Sequence, residues 1–183
     1  MAFVLPEGLA PEVYPLAWLV GRWRGEGVVG YPGIEESAFV QDVEVDHDGG
    51  PYLRYRSTIR LVVVPDDPAA LLEADAGPVW STESGYWRIA PERPAELAAD
   101  QFPVELLLAD PAGHLSLYLG TAGNGRIELA SDLIARTATA SDVAAGTRLY
   151  GLVHGDLMWA WDLAAFGNAL QSYASARLAH VDN

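Results

Sequence analysis

The segment from Leu53 to Val63 constrains the fold most, because its side chains alternate between apolar and polar. One side carries Leu53, Tyr55, Ile59, Leu61 and Val63, with Ser57 as the polar exception, and the other carries Arg54, Arg56, Thr58 and Arg60. Successive side chains of a β-strand point to opposite faces, so the pattern predicts a strand with one buried face and one solvent-exposed face. A helix would distribute those arginines around its axis.

Similar stretches of period two recur along the chain, separated by turn signals such as Asp48-Gly49-Gly50-Pro51 and Gly123-Asn124-Gly125. Strands are predicted at 23–29, 39–46, 52–64, 79–90, 103–109, 114–121, 126–137, 146–153, 157–165 and 171–180. About ten strands with short connections predict an all-β fold, an antiparallel meander closed into a barrel. One short helical turn is expected near 16–20.

The chain is expected to form a single domain over residues 1–183, with residues 1–15 as an extended surface segment. Two stretches rich in proline, alanine and acidic residues, 65–78 and 91–101, are predicted surface loops. The length of 183 residues is enough for a sizeable core.

The net charge of −14 disfavours a nucleic-acid partner and an anionic membrane surface. The chain has no cysteine, which excludes disulfides, thiolate nucleophiles and iron–sulfur clusters. No apolar run approaches the ~20 residues of a membrane-spanning helix. The N-terminus lacks the basic start of a signal peptide, so a cytoplasmic location is expected.

The most distinctive local motif is G-x-W-x-G-x-G, formed by Gly21, Trp23, Gly25 and Gly27. Glycines there would let the first strand pass close to its neighbours, and the tryptophan would plug one end of the barrel. With Gly30-Tyr31-Pro32-Gly33-Ile34, Thr82-Glu83-Ser84-Gly85-Tyr86 and Gly167-Asn168-Ala169-Leu170-Gln171, the motif resembles the nitrobindin family over most of residues 16–180.

That resemblance implies a roughly ten-stranded barrel, shaped like the lipocalins and fatty-acid-binding proteins, with a b-type haem in a pocket at one end. The family is associated with nitric oxide binding and with isomerising peroxynitrite to nitrate at the iron. Its axial ligand is a histidine in the last strand, in a context like L-Q-x-H-x-x-A-x-L. This chain reads Leu170-Gln171-Ser172-Tyr173-Ala174-Ser175-Ala176-Arg177-Leu178, so Tyr173 occupies the histidine position.

Three interpretations of Tyr173 stay open. Haem binding is lost and no cofactor is bound, or Tyr173 ligates ferric haem b as a phenolate, as tyrosine does in catalase. In the third, haem enters with another ligand or by apolar contact alone. His47, His114 and His154 lie in or beside turns and are expected to be exposed, and His180 is expected on the strand face opposite Tyr173.

The pocket candidates are Tyr173, Tyr31, Pro32, Tyr55 and Arg177. Arg177 is favoured to stack on Trp23, with pocket cation as the alternative. Trp80, Trp87, Trp159 and Trp161 either line a ligand cavity or pack in the core. Glu26, Glu83 and Asp162 are expected to be ordinary strand residues rather than paired catalytic carboxylates.

Three functional hypotheses follow. The first is a non-enzymatic barrel that binds a small apolar molecule, haem-free or weakly haem-binding. The second is a ferric haem protein that acts on nitric oxide or peroxynitrite, and the third is a structural barrel filled by side chains. Either a monomer or a homodimer fits all three.

Overall fold

The computed structural model describes residues 5–62 and 77–181 and contains a closed antiparallel barrel of ten strands. The strands are β1 (Gly21–Tyr31), β2 (Ile34–Asp46), β3 (Leu53–Leu61), β4 (Val79–Ile89), β5 (Phe102–Ala109), β6 (His114–Gly123), β7 (Arg126–Arg136), β8 (Val143–Val153), β9 (Asp156–Ala165) and β10 (Gln171–His180). Each strand pairs with its neighbours in sequence, and β1 closes the barrel against β10. The predicted fold class is therefore confirmed.

The alternation read from the sequence sets which face is buried. Along β3, Leu53, Tyr55 and Ser57 are buried, whereas Arg54 and Arg56 are exposed. A closed barrel has no free sheet edge, so its inward residues form one continuous core.

A 3₁₀ helix, Pro11–Leu19, seals one end of the barrel. Val13, Leu16, Ala17 and Leu19 are buried in the core, which corrects the expectation that residues up to 15 run as an extended surface segment. These four apolar side chains cover the barrel end as a short plug. Pro15 lies inside the helix. No helix among the described residues is long and apolar enough to span a membrane.

The opposite end of the barrel is partly open. Strands β7 and β8 pair only from Arg126–Ala130 to Thr147–Gly151. Beyond that point the two strands diverge, and the Gly146 amide donates to the Ser131 hydroxyl at 3.0 Å.

The structure describes only one of the two predicted acidic loops in full. Residues 91–101 form exposed turns, as predicted. The other predicted loop falls almost wholly outside the described residues, as does the predicted extension of β3 beyond residue 62.

Candidate functional site

The G-x-W-x-G-x-G motif belongs to the closed end of the barrel. Trp23 is buried, and its indole donates a hydrogen bond of 2.8 Å to the carbonyl of Leu19 at the end of the 3₁₀ helix. A β-carbon on Gly25 would lie 2.1 Å from the Arg177 carbonyl oxygen, and one on Gly27 would lie 2.3 Å from the Ser175 carbonyl oxygen. The motif therefore lets β1 approach β10 closely and anchors the helical plug.

The opposite end holds a cavity of about 330 Å³, here called the cup. Its aromatic residues are Trp80, Tyr118, Trp161, Phe166 and Tyr173, and its charged or titratable partners are Glu83, Asp110, His114 and Arg148. The volume falls at the lower end of the roughly 300–1,000 Å³ typical of small-molecule sites. The cup is therefore the candidate ligand site.

Tyr173 points into the cup because of a β-bulge in β10. Ser172 pairs with Asp162 and Ala174 pairs with Trp161, so Tyr173 has no partner on β9. A bulge of this kind adds one residue and re-aims the side chains around it. Tyr173 and Ala174 consequently both face the barrel interior.

Three aromatic side chains surround Tyr173. The Trp80 indole donates to its hydroxyl oxygen at 3.1 Å, and the rings of Trp161 and Tyr31 meet it edge-on at 4.8 and 5.9 Å between centroids. Burial raises the pKa of Tyr173, and the hydrogen bond from Trp80 only partly opposes that rise. The side chain is therefore a neutral phenol at physiological pH.

A buried ion pair forms the floor of the cup. Arg148 donates two hydrogen bonds to the Glu83 carboxylate, one of them 2.9 Å long. The guanidinium lies 4.1 Å from the centroid of the Trp161 ring and 5.0 Å from that of Tyr118. Burial acts to lower the pKa of Arg148, but the charge and hydrogen bonds of Glu83, together with Tyr150 and Tyr118, outweigh it and hold that pKa well above the ordinary value.

His114 lines the cup and is buried, which corrects the expectation of an exposed turn residue. Its Nδ1 lies 3.2 Å from the Asp110 carboxylate and its Nε2 lies 3.0 Å from the Ser141 carbonyl oxygen. Both ring nitrogens thus contact acceptors. His154 is exposed as expected, whereas His47 is half-buried.

Arg177 is neither in the cup nor on Trp23. It is exposed on the outer wall, where its Nε donates to the Asp156 carboxylate at 2.6 Å. The bulge explains the error, because it puts Tyr173 out of step with the alternation of the rest of β10. The bulge also shifts the alternation of the residues after it, so His180 faces Trp23 at the closed end, with ring centroids 4.9 Å apart.

The other pocket candidates are spread along the barrel. Pro32 is exposed in the turn between β1 and β2, so it is not a pocket residue. Tyr31 is buried beside Tyr173, but its hydroxyl donates to the Leu163 carbonyl at 2.9 Å and lies outside the cup lining. Tyr55 lies deeper, 6.2 Å from Trp87 between ring centroids, and lines a void of about 10 Å³ below the cup.

The residues that the sequence interpretation undervalued are Glu83 and Arg148. Their signal is the alternation itself: Arg148 lies between the buried Gly146 and Tyr150, and Glu83 shares its strand face with the buried Trp87. Opposite charges on two inward faces indicate a buried pair. Of the four tryptophans considered, Trp80 and Trp161 line the cup, whereas Trp87 and Trp159 are core residues.

The haem that the resemblance implies would need an axial donor in the cup. Tyr173 is a neutral, hydrogen-bonded phenol, which is a poor donor, and both nitrogens of His114 are already engaged. Among its described residues the cup therefore offers no imidazole that is free to act as an axial ligand, and Tyr173 would have to lose its proton to bind iron as a phenolate.

Comparison with known proteins places this barrel in a family. The model of the THAP4-like, heme-binding beta-barrel domain matches residues 12–180. A ferric nitrobindin-like protein of Beutenbergia cavernae is 49% identical, covering 99% of this chain and 100% of the relative. A peroxynitrite isomerase of Clavibacter sepedonicus is 39% identical, covering 97% and 98%.

A solved structure agrees with the sequence comparisons. The crystal structure of Rv2717c from M. tuberculosis matches with a TM-score of 0.77 and 30% identity, covering 95% of this chain and 99% of that one. The predicted resemblance is confirmed. This chain belongs to the nitrobindin family of THAP4-like, haem-binding β-barrel domains.

Proposed function

We propose that this chain is a haem-free, non-enzymatic member of its family that binds a small, largely apolar molecule in the cup. The observation that carries the proposal is the state of Tyr173. Its phenol accepts a hydrogen bond from Trp80 and has a raised pKa, so it would have to give up a strongly held proton to bind iron, and it supplies no imidazole.

The shape and charge of the protein support a small-molecule ligand. A cup of about 330 Å³ is far larger than the roughly 30 Å³ that a water molecule occupies, which favours a ligand over a barrel filled by side chains. The net charge of −14 disfavours nucleic acid and anionic membranes as partners.

A hemin titration followed by absorption spectroscopy tests the proposal. We expect no saturable Soret shift for the wild-type chain. Tyr173→His is expected to gain one, because the bulge in β10 directs this side chain into the cup. Tyr173→Phe is the matched control, since it keeps the ring and adds no donor.

One competing function has a specific motive, namely the relatives that are named peroxynitrite isomerase. It requires Tyr173 to bind ferric haem as a phenolate. A saturable wild-type complex whose Soret band disappears in Tyr173→Phe would support it and refute the haem-free proposal.

A further inference from the structure

We infer that the cup selects an uncharged, planar aromatic ligand and rejects aromatic carboxylates. The inference rests on the proposed function, because it names the ligand class of the same site. Three features of the cup support it: charged groups that already have partners, aromatic walls and hydroxyl-bearing residues in the lining.

The charged groups of the cup are already paired. Glu83 and Arg148 neutralise each other, and their side chains are only 12% and 6% exposed. The Asp110 carboxylate lies 3.2 Å from Nδ1 of His114. No other charged side chain lines the described part of the cup, so a ligand meets no uncommitted cation there.

An anionic ligand would therefore lose hydration and meet no free cation, since two donors of the lining that have no hydrogen-bond partner, Arg148 Nε and Trp161 Nε1, are themselves buried. Moving a carboxylate out of water is costly unless a cation or several donors replace the water. The two donors that Arg148 directs at Glu83 are committed, and the lining holds two carboxylates against one guanidinium, which disfavours a further negative charge. An uncharged ligand avoids both penalties.

The walls favour a flat ring. Trp80, Phe166 and Tyr173 lie near the mouth, on strands β4 and β10 and in the turn after β9. Trp80 is 39% exposed and Phe166 is 55% exposed, so both present apolar ring surface to an entering molecule. Aromatic pairs in edge-on or offset geometry contribute beyond the area that they bury.

Besides the charged groups, the cup lining includes neutral polar side chains. Ser81, Thr82 and Ser116, which carry hydroxyl groups, belong to the cup lining. Hydroxyl groups both donate and accept, so they suit an alcohol, a phenol or a carbonyl on the ligand.

The test compares two probes that share one ring system, 2-naphthalenemethanol and 2-naphthoate, by isothermal titration calorimetry on the intact chain. We expect saturable binding of the alcohol and at least tenfold weaker binding of the carboxylate. Trp80→Leu is expected to weaken the alcohol at least fivefold. Tyr86→Leu, which removes an exposed aromatic ring from the outer wall, is the matched control and is expected to change nothing.

Each contrary outcome has a distinct meaning. A carboxylate that binds as tightly as the alcohol overturns the inference and leaves the proposed function intact. Binding that Tyr86→Leu abolishes and Trp80→Leu does not would place the probe on the outer wall, which also overturns the inference. Binding of neither probe, in a sample whose circular dichroism shows a folded barrel, counts against the proposed function as well.

Discussion

Removal of one partner from the buried ion pair should strongly destabilise the barrel. In Glu83→Gln, Arg148 keeps its charge but loses two charge-assisted hydrogen bonds, and the amide oxygen replaces one of them by a neutral acceptor. The remaining contacts are weak, since the Tyr150 hydroxyl lies 3.3 Å away and the Trp161 ring lies 4.1 Å away. Breaking a buried pair in this way costs about 3–5 kcal/mol, and this guanidinium is only 6% exposed.

Chemical denaturation measured by circular dichroism gives the free energy of unfolding for each variant. Glu83→Gln and Arg148→Met should each lose about 3–5 kcal/mol, whereas the double variant should lose at least about 2 kcal/mol less than their sum, because it leaves no unpaired charge. The control is Glu128→Gln, which removes the partner of Arg126 in an exposed pair and should cost below about 1 kcal/mol. Single-variant losses below about 1 kcal/mol, or full additivity in the double variant, would refute this reasoning.

Three further perturbations test other parts of the barrel. Gly25→Ala places a β-carbon 2.1 Å from a β10 carbonyl oxygen and should lower the free energy of unfolding by about 1–3 kcal/mol or more. Gly151→Ala, where the nearest atom is 3.9 Å from the new β-carbon, is the control and should change the denaturation midpoint little. Equal midpoints for the two variants would contradict the close approach of β1 to β10. Trp23→Phe should cost about 1–3 kcal/mol, because the Leu19 carbonyl loses its 2.8 Å donor; an unchanged thermal midpoint would argue against the helical plug. Burial raises the pKa of Tyr55, so only the unfolded chain ionises it above pH ~10, and this residue should lower the free energy of unfolding by up to about 1.4 kcal/mol for each unit of rising pH. The decline should therefore be less steep in Tyr55→Phe, and parallel pH profiles would contradict the burial.

Much of the fold could be predicted from the local pattern of apolar and polar residues. The alternation around Leu53–Leu61 reports which face of a strand is buried, and turn residues mark where strands end, so all ten described strands lie close to their predicted positions. The motif from Gly21 to Gly27 likewise carries its own physical meaning, because a missing β-carbon permits close strand approach. The helix at Pro11–Leu19 was harder to predict, since its prolines resemble an extended segment and its burial depends on the barrel end that it covers.

The residues of the cup could be predicted only in part from the sequence. Tyr173 was identified by the family pattern, but Arg177 was expected on Trp23 or, alternatively, in the pocket, because strict alternation across the bulge put it on the same face as Tyr173. Alternation places Glu83 and Arg148 each on an inward face, but the two residues are 65 positions apart, and only barrel closure decides that they pair with each other.

The sequence by itself therefore determined the strands, their buried faces, the family and the absence of a histidine at position 173, because these depend on residue type and short-range periodicity. Only the tertiary structure decided which side chains share the cup, that Tyr173 faces inward and bonds to Trp80, and that the buried charges are matched. Barrel closure brings distant strands together, and one unpaired residue in β10 changes which side chains face inward; both are properties of strand register.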